Sequence, residues 1–329
     1  MTDPTPLDRM QSDLAAKLEA VNTTIATRMQ SENAPRIPAV TTHLVGAGGK
    51  RVRPMLTLAA AAMFGYDGDH DVRLAATVEF IHTATLLHDD VVDESKQRRG
   101  RPAANLLWDN KSSVLVGDYL FSRSFQLMVE TGSLRVLDIL ANASAVIAEG
   151  EVLQLSAATD IATDQDIYLN IVRGKTAALF AAACEVGGVI AAASDAETAA
   201  LRSYGDALGI SFQIIDDLLD YGGVAASLGK NTGDDFRERK LTLPVIMAIA
   251  KADAAEREFW ARTIGAGQQT DGDLEFAIGC LTRHGALEAT RRAALDWSET
   301  AKRELAKLPS HPMRGHLSDL ADFVVARAF

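Results

Sequence analysis

Glu79-Phe80-Ile81-His82-Thr83-Ala84-Thr85-Leu86-Leu87-His88-Asp89-Asp90-Val91-Val92-Asp93 decides the fold. Its apolar residues recur at helical spacing from about Val72 onward, and the run ends on Asp-Asp-x-x-Asp. The pattern returns at Gln213-Ile214-Ile215-Asp216-Asp217-Leu218-Leu219-Asp220, again at the end of a long apolar stretch. On a helix, residues four apart share a face, so Asp89 and Asp93 can present carboxylates to the same ion, as can Asp216 and Asp220. A helix C-terminus already carries partial negative charge, so carboxylates crowded there gain nothing for stability. A divalent cation would make the placement favourable. Hard carboxylate oxygens suit magnesium, which fills the rest of its shell with water and phosphate oxygens.

Working outward, no proline lies between Pro102 and Pro244, which leaves room for uninterrupted helices. Periodicity predicts five of them, at about Val72–Val92, Ser113–Val129, Leu134–Leu155, Gln165–Ile190 and Glu197–Leu219. Loops are expected over Glu94–Asn110 and Tyr221–Arg239, each directly after an acidic motif. Shorter helices are expected over Leu243–Ala250 and from Ala254 onward. Alternation of the strand type is scarce, and 47% of the residues are hydrophobic but only 6% aromatic, which suits closely packed helices. With no Ser/Gly-rich linker, the expectation is one all-α domain over residues 1–329, with the two acidic helix ends facing one cavity.

The formal charge of −11 excludes a broad nucleic-acid surface, so no nucleic-acid partner is expected. Cys184 and Cys280 form no CxxC pattern, which excludes a disulfide framework or zinc site and fits a reducing, cytoplasmic setting. The first thirty residues carry no apolar signal segment. Ala177–Ala193 is apolar but holds Glu185, Gly187 and Gly188, and reads as a buried helix, not a transmembrane segment.

Cationic motifs surround the acidic ones. In Gly48-Gly49-Lys50-Arg51-Val52-Arg53-Pro54, ahead of a helix, Lys50 and Arg53 can meet a diphosphate. Arg98-Arg99-Gly100-Arg101-Pro102 follows the first acidic motif. Its arginine forks suit phosphate oxygens, and adjacent arginines on an extended loop can serve two of them. Gly174-Lys175-Thr176 is not a Walker A end, since Leu169 stands where that motif needs glycine. Lys175, Lys230 and Lys240 accompany the second acidic motif. His82 lies two helical turns before Asp89 and so on nearly its face.

With these residues in hand, the chain resembles the trans-prenyl diphosphate synthases over nearly its whole length. GGKRVRP, EFIHTATLLHDDVVDESKQRRGRPAAN, VGDYLF, GKTA, QIIDDLLD and GKNTGDDFRERKLTLP occur in that family's order, most like the long-chain branch that makes quinone side chains. The resemblance implies a helical bundle of the isoprenoid synthase type around a central active-site cavity. It implies that Lys50, Arg53, His82 and Arg99 hold isopentenyl diphosphate, and that Arg98, Lys175, Thr176, Gln213, Lys230 and Lys240 hold an allylic diphosphate such as farnesyl diphosphate. Asp89, Asp93 and Asp216 would carry Mg2+, supported by Asp90, Asp217 and Asp220. A homodimer, and transient membrane contact for product release, are implied as well. The first aspartate helix would line a tunnel for the growing chain. Thr85 and Ala84, beneath the diphosphate, are small where short-chain members carry aromatics, and Ile81 and Val78 lie deeper. Products of roughly forty to fifty carbons are therefore expected along a helix of about 30 Å.

Three other readings compete. A shorter-chain geranylgeranyl or farnesyl diphosphate synthase would share every motif. A class I terpene cyclase would carry Asn, Ser and Glu in the second acidic site, where this chain has aspartates. Glu79-x-x-His82 is a di-iron step, but such a site needs two and the chain has one.

Overall fold

The computed structural model describes residues 4–46, 48–158, 160–222 and 233–327. It is all-α apart from one pair of two-residue strands. The predicted central helices are present as His70–Val92, Asn110–Val129, Leu134–Ala157 and Asp195–Tyr221. The stretch read as one helix over Gln165–Ile190 is instead two α-helices, Gln165–Val172 and Ala178–Ile190, joined through a π-helical turn, Arg173–Ala177. Residues before Val52 form three more helices, Pro6–Asp13, Ala15–Arg28 and Arg36–Gly46. Thr5 and Asp8 close the first of these with a capping box.

The described chain clusters into two compact units, each assembled from separate stretches. The first comprises Met1–Ser144, Ala182–Arg202 and Pro309–His316. Its hub is His70–Val92, which packs along Asn110–Val129 and against Val52–Met63 and Ala15–Arg28. Leu74, Val78, Phe80, Ile81, Ala84 and Leu87 on this helix are fully enclosed. Each large side chain so buried contributes about 1.5–3 kcal/mol. A helix apolar around its circumference belongs in a core, and that placement fixes where its acidic end lies.

That end is closed by a Schellman turn. Ser95 N–H donates to Asp90 O at 3.0 Å and Glu94 N–H to Val91 O at 3.4 Å, with Glu94 in the left-handed region at φ 50°. The expected loop then holds more structure than its composition announced. Gln97–Arg98 pairs antiparallel with Arg101–Pro102, and the two linking residues, Arg99 and Gly100, both have positive φ, as a tight hairpin turn requires. The short helix Ala104–Leu107 follows.

The second unit comprises Ala145–Ala181, Ser203–Leu308 and Leu317–Phe329. Leu243–Ile249 packs on Ala286–Leu305, and an aromatic core forms where Phe236, Phe259 and Trp260 meet. The expected late helices are present as Ala254–Trp260, Asp273–Arg283, Ala286–Leu305 and Pro312–Ala326. Among the described residues no helix is long and apolar enough to cross a membrane.

Candidate active site

In the first unit the outer aspartates, Asp89 and Asp93, are partly exposed and the middle one, Asp90, is buried. The 3.6-residue period explains the split: Asp89 and Asp93 share a face that Asp90 leaves. Arg98 donates from Nε at 2.9 Å and from Nη2 at 2.5 Å to Asp90 Oδ1, and Asn105 Nδ2 donates to the Asp90 carbonyl at 3.0 Å. Burial pushes the Asp90 carboxyl up, against the pull of Arg98. The other oxygen, Oδ2, is buried with no hydrogen-bond partner. Asp90 thus orients the arginine loop, while the outer pair lies on the partly exposed face of the helix.

Arg99, next in sequence, turns elsewhere. Its Nη1 donates to the Gly48 carbonyl, and its guanidinium lies against Gly49. The glycine-rich basic sequence and the arginine loop therefore meet through Arg99. Arg53 Nη1 is 3.3 Å from His82 Nε2, and since arginine only donates, that ring nitrogen accepts and His82 is neutral. Burial, then Arg53, Arg99, Arg98 and Arg51, hold its pKa well below the usual value. Burial also brings Arg53 down to about 10. Crowded, partly desolvated cations of this kind make a site that an anion stabilises. Arg51, at φ 49°, pairs with the buried Glu79, so the carboxylate of the lone Glu-x-x-His step is engaged by a cation. Lys50 is exposed beside them.

In the second unit Asp217 is the buried middle aspartate and Asp216 and Asp220 are partly exposed, repeating the first pattern. Asp217 accepts from Tyr168 Oη at 2.6 Å and from Gln213 Nε2 at 2.8 Å, while Gln213 Oε1 accepts from Thr176 Oγ1 at 2.9 Å. Burial pushes Asp217 up to about 7. Asp220 accepts from the backbone N–H groups of Asp234 at 3.2 Å and Asp235 at 3.0 Å, holding the chain that returns after 223–232. Lys175 and Thr176 sit on the π-helical turn, a deformation common at functional sites. A Cβ on Gly174 would lie 2.7 Å from Gly150 Cα and 3.0 Å from Val146 O, so only glycine allows this close backbone approach. The same approach brings Lys175 Nζ within 2.8 Å of Glu151 Oε2. Lys240 Nζ lies 2.5 Å from Glu238 Oε2. Lys230 lies outside the described residues.

Of the residues expected to govern chain length, Thr85 is partly exposed on the Asp89 face, with Oγ1 donating to His82 O at 2.8 Å. Ala84, Ile81 and Val78 are fully enclosed.

The sequence reading missed Tyr168, Glu151 and Asp235. Tyr168 was within reach, since it precedes Lys175 by seven residues and so nearly shares its face. Asp235, pushed up by burial and then by Asp217 and Asp220, lies inside the quoted GKNTGDDFRERK. Glu151 had no signal, being one of two glutamates on either side of Gly150 in an otherwise largely apolar stretch.

A divalent cation fits this donor set. The donors are carboxylate oxygens, those of Asp89 and Asp93 in the first unit and of Asp216 and Asp220 in the second, each pair four residues apart and partly exposed. Among the described residues no group of three or more His, Cys, Asp or Glu forms a metal cage. Few protein ligands, completed by water and phosphate oxygens, is the arrangement magnesium takes.

Comparison with known proteins agrees. A sequence model of the polyprenyl synthetase family matches residues 34–281. The octaprenyl diphosphate synthase of Escherichia coli K12 is 44% identical over 287 residues, 87% of this chain and 88% of that protein. The crystal structure of a decaprenyl diphosphate synthase from Rhodobacter capsulatus superposes with a TM-score of 0.96 at 69% identity, covering 98% of this chain and 99% of the other. That of a polyprenyl synthase from Caulobacter crescentus CB15, complexed with calcium and isoprenyl diphosphate, gives 0.94 at 52% identity over the whole of both chains. The fold is the all-helical isoprenoid synthase fold of these neighbours.

Proposed function

The chain belongs to the polyprenyl synthetase family and is a long-chain polyprenyl diphosphate synthase, and on that premise we propose how its residues divide the work. Isopentenyl diphosphate is held by Lys50, Arg53, His82 and Arg99. The allylic diphosphate, with farnesyl diphosphate as primer, is held by Arg98, Lys175, Thr176, Gln213, Lys230 and Lys240. Asp89, Asp93 and Asp216 hold magnesium, and Asp90, Asp217 and Asp220 orient their surroundings. Both acidic motifs serve one catalytic domain.

The observation that carries this reading is the divergence of two adjacent arginines. Arg98 is committed to the aspartate motif, and Arg99 to the glycine-rich sequence that also carries Lys50 and Arg53. Two cationic sets imply two anionic substrates.

Magnesium would supply positive charge to the diphosphate as it departs. Lys175, Arg98 and Lys240 add donors to the same oxygens, and preorganised donors stabilise developing charge without reorganising. His82, neutral, can donate only from Nδ1, so it orients an oxygen without adding charge. The apolar residues of the first aspartate helix keep water from the allylic cation. The double bond of isopentenyl diphosphate attacks that cation, and the proton lost passes to the departing diphosphate, which leaves an allylic diphosphate one unit longer.

The further proposals are products of C40–C50 for a quinone tail, cytoplasmic residence with transient membrane contact, and a homodimer. An apolar stripe on Asn110–Val129, with Leu115 66% and Val129 63% exposed, supports the last.

Kinetics with each substrate varied in turn test the division. Lys50→Ala and Arg99→Ala should raise KM mainly for isopentenyl diphosphate, and Arg98→Ala mainly for the allylic substrate. Equal effects on both substrates from each variant would refute it.

A further inference from the structure

One motif finds no use in the function so far: Val116-Gly117-Asp118-Tyr119-Leu120-Phe121, in the middle of Asn110–Val129. Glycine inside a helix costs about 1 kcal/mol relative to alanine, so Gly117 calls for a reason in packing. The structure supplies it in His88, the residue immediately before Asp89. A Cβ on Gly117 would overlap the His88 ring, lying 2.6 Å from Cδ2. His88 Nε2 is 3.1 Å from the Val114 carbonyl, which can only accept, so this nitrogen carries the proton. Asp118 Oδ1 stands 3.5 Å from the same nitrogen, and the Phe121 ring stacks on the imidazole at 6.1 Å and 22°. Tyr119 fastens the helix from another side, donating from its hydroxyl to Gln30 O at 2.7 Å.

We propose that Gly117, Asp118 and Phe121 form a clasp for His88 that sets the heading of the Asp89 carboxylate. His88 and Asp118 are then positioning residues for the metal-bearing end of the helix. The ring is wedged between two helices at the last turn before the Schellman stop, where a helix is freest to fray or rotate. Holding the ring fixes both the rotation and the axial position of that turn. The clasp has a purpose only if Asp89 holds magnesium, so the proposal rests on the reading above.

The test is calorimetric titration of magnesium into protein carrying an unreactive thio analogue of the allylic diphosphate, alongside melting curves without metal. Groups that orient metal ligands typically change affinity about 10- to 100-fold when altered. Gly117→Ala and His88→Ala should each weaken magnesium by about tenfold. His88→Gln, whose amide can reach the Val114 carbonyl, should recover most of the loss. On the His88→Ala background, adding Gly117→Ala should change affinity by less than about twofold, because the group it displaces is gone. A Gly117→Ala protein that melts lower but binds magnesium as the parent does would overturn the clasp, as would losses that multiply in the double variant. If Gly117→Ala does not fold, His88→Ala, His88→Gln and Asp118→Asn decide by the same reading, and unchanged magnesium affinity in all three overturns it. Asp89→Asn is the control. Parental magnesium binding there refutes the metal assignment itself, whereas loss there with none in the clasp variants refutes only the clasp.

Discussion

Asp89 and Asp216 end helices whose terminal carbonyls already repel them, so their charge is useful only when a cation is bound. Asp89→Asn or Asp216→Asn should lower turnover by orders of magnitude while the melting temperature without metal stays level or rises. Parental turnover in either variant would contradict the metal assignment. These residues were legible in the sequence because their signal is local: the i, i+4 pair and its apolar frame lie within one motif. The same holds for the basic residues of GGKRVRP and RRGRP. Partners separated along the chain were not legible. Glu151 reaches Lys175 across 24 residues, and Tyr168 reaches Asp217 across 49, pairings that only the packed helices create.

Helices were legible wherever periodicity and the absence of proline agreed, and their ends matched to within a few residues. The π-helical turn at Arg173–Ala177 was not, because nothing in the apolar pattern over Gln165–Ile190 marks where two backbones must touch. Gly174→Ala should cost about 1–3 kcal/mol by forcing those backbones apart, read as a lower urea midpoint. Because Lys175 and Thr176 ride on the turn, KM for the allylic diphosphate should rise as well. An unchanged midpoint would mean the close approach is not needed. The first aspartate helix offers a second test. Thr85 keeps the partly exposed Asp89 face and Ala84 is enclosed, so a bulky ring at 85 projects where the growing chain would pass. Thr85→Phe, and more weakly Ala84→Phe, should shorten products to about fifteen to twenty carbons, some two to three helical turns of lost tunnel. An active double variant that still releases the parent's longest product would refute a tunnel along this helix.

For the whole molecule, composition excluded more than it identified. A charge of −11 and two distant cysteines removed nucleic-acid and zinc readings, while the two acidic motifs, each flanked by its own basic set, carried the positive case. The account's central claim is repeated, magnesium-dependent elongation to a long product. Purified protein, farnesyl diphosphate, labelled isopentenyl diphosphate and magnesium, followed by chain-length separation, test it directly. The account predicts label in chains of roughly forty to fifty carbons, the length a tunnel of about 30 Å or more allows, and none when magnesium is chelated. Label left in the five-carbon pool, or elongation that proceeds without a divalent cation, would contradict it.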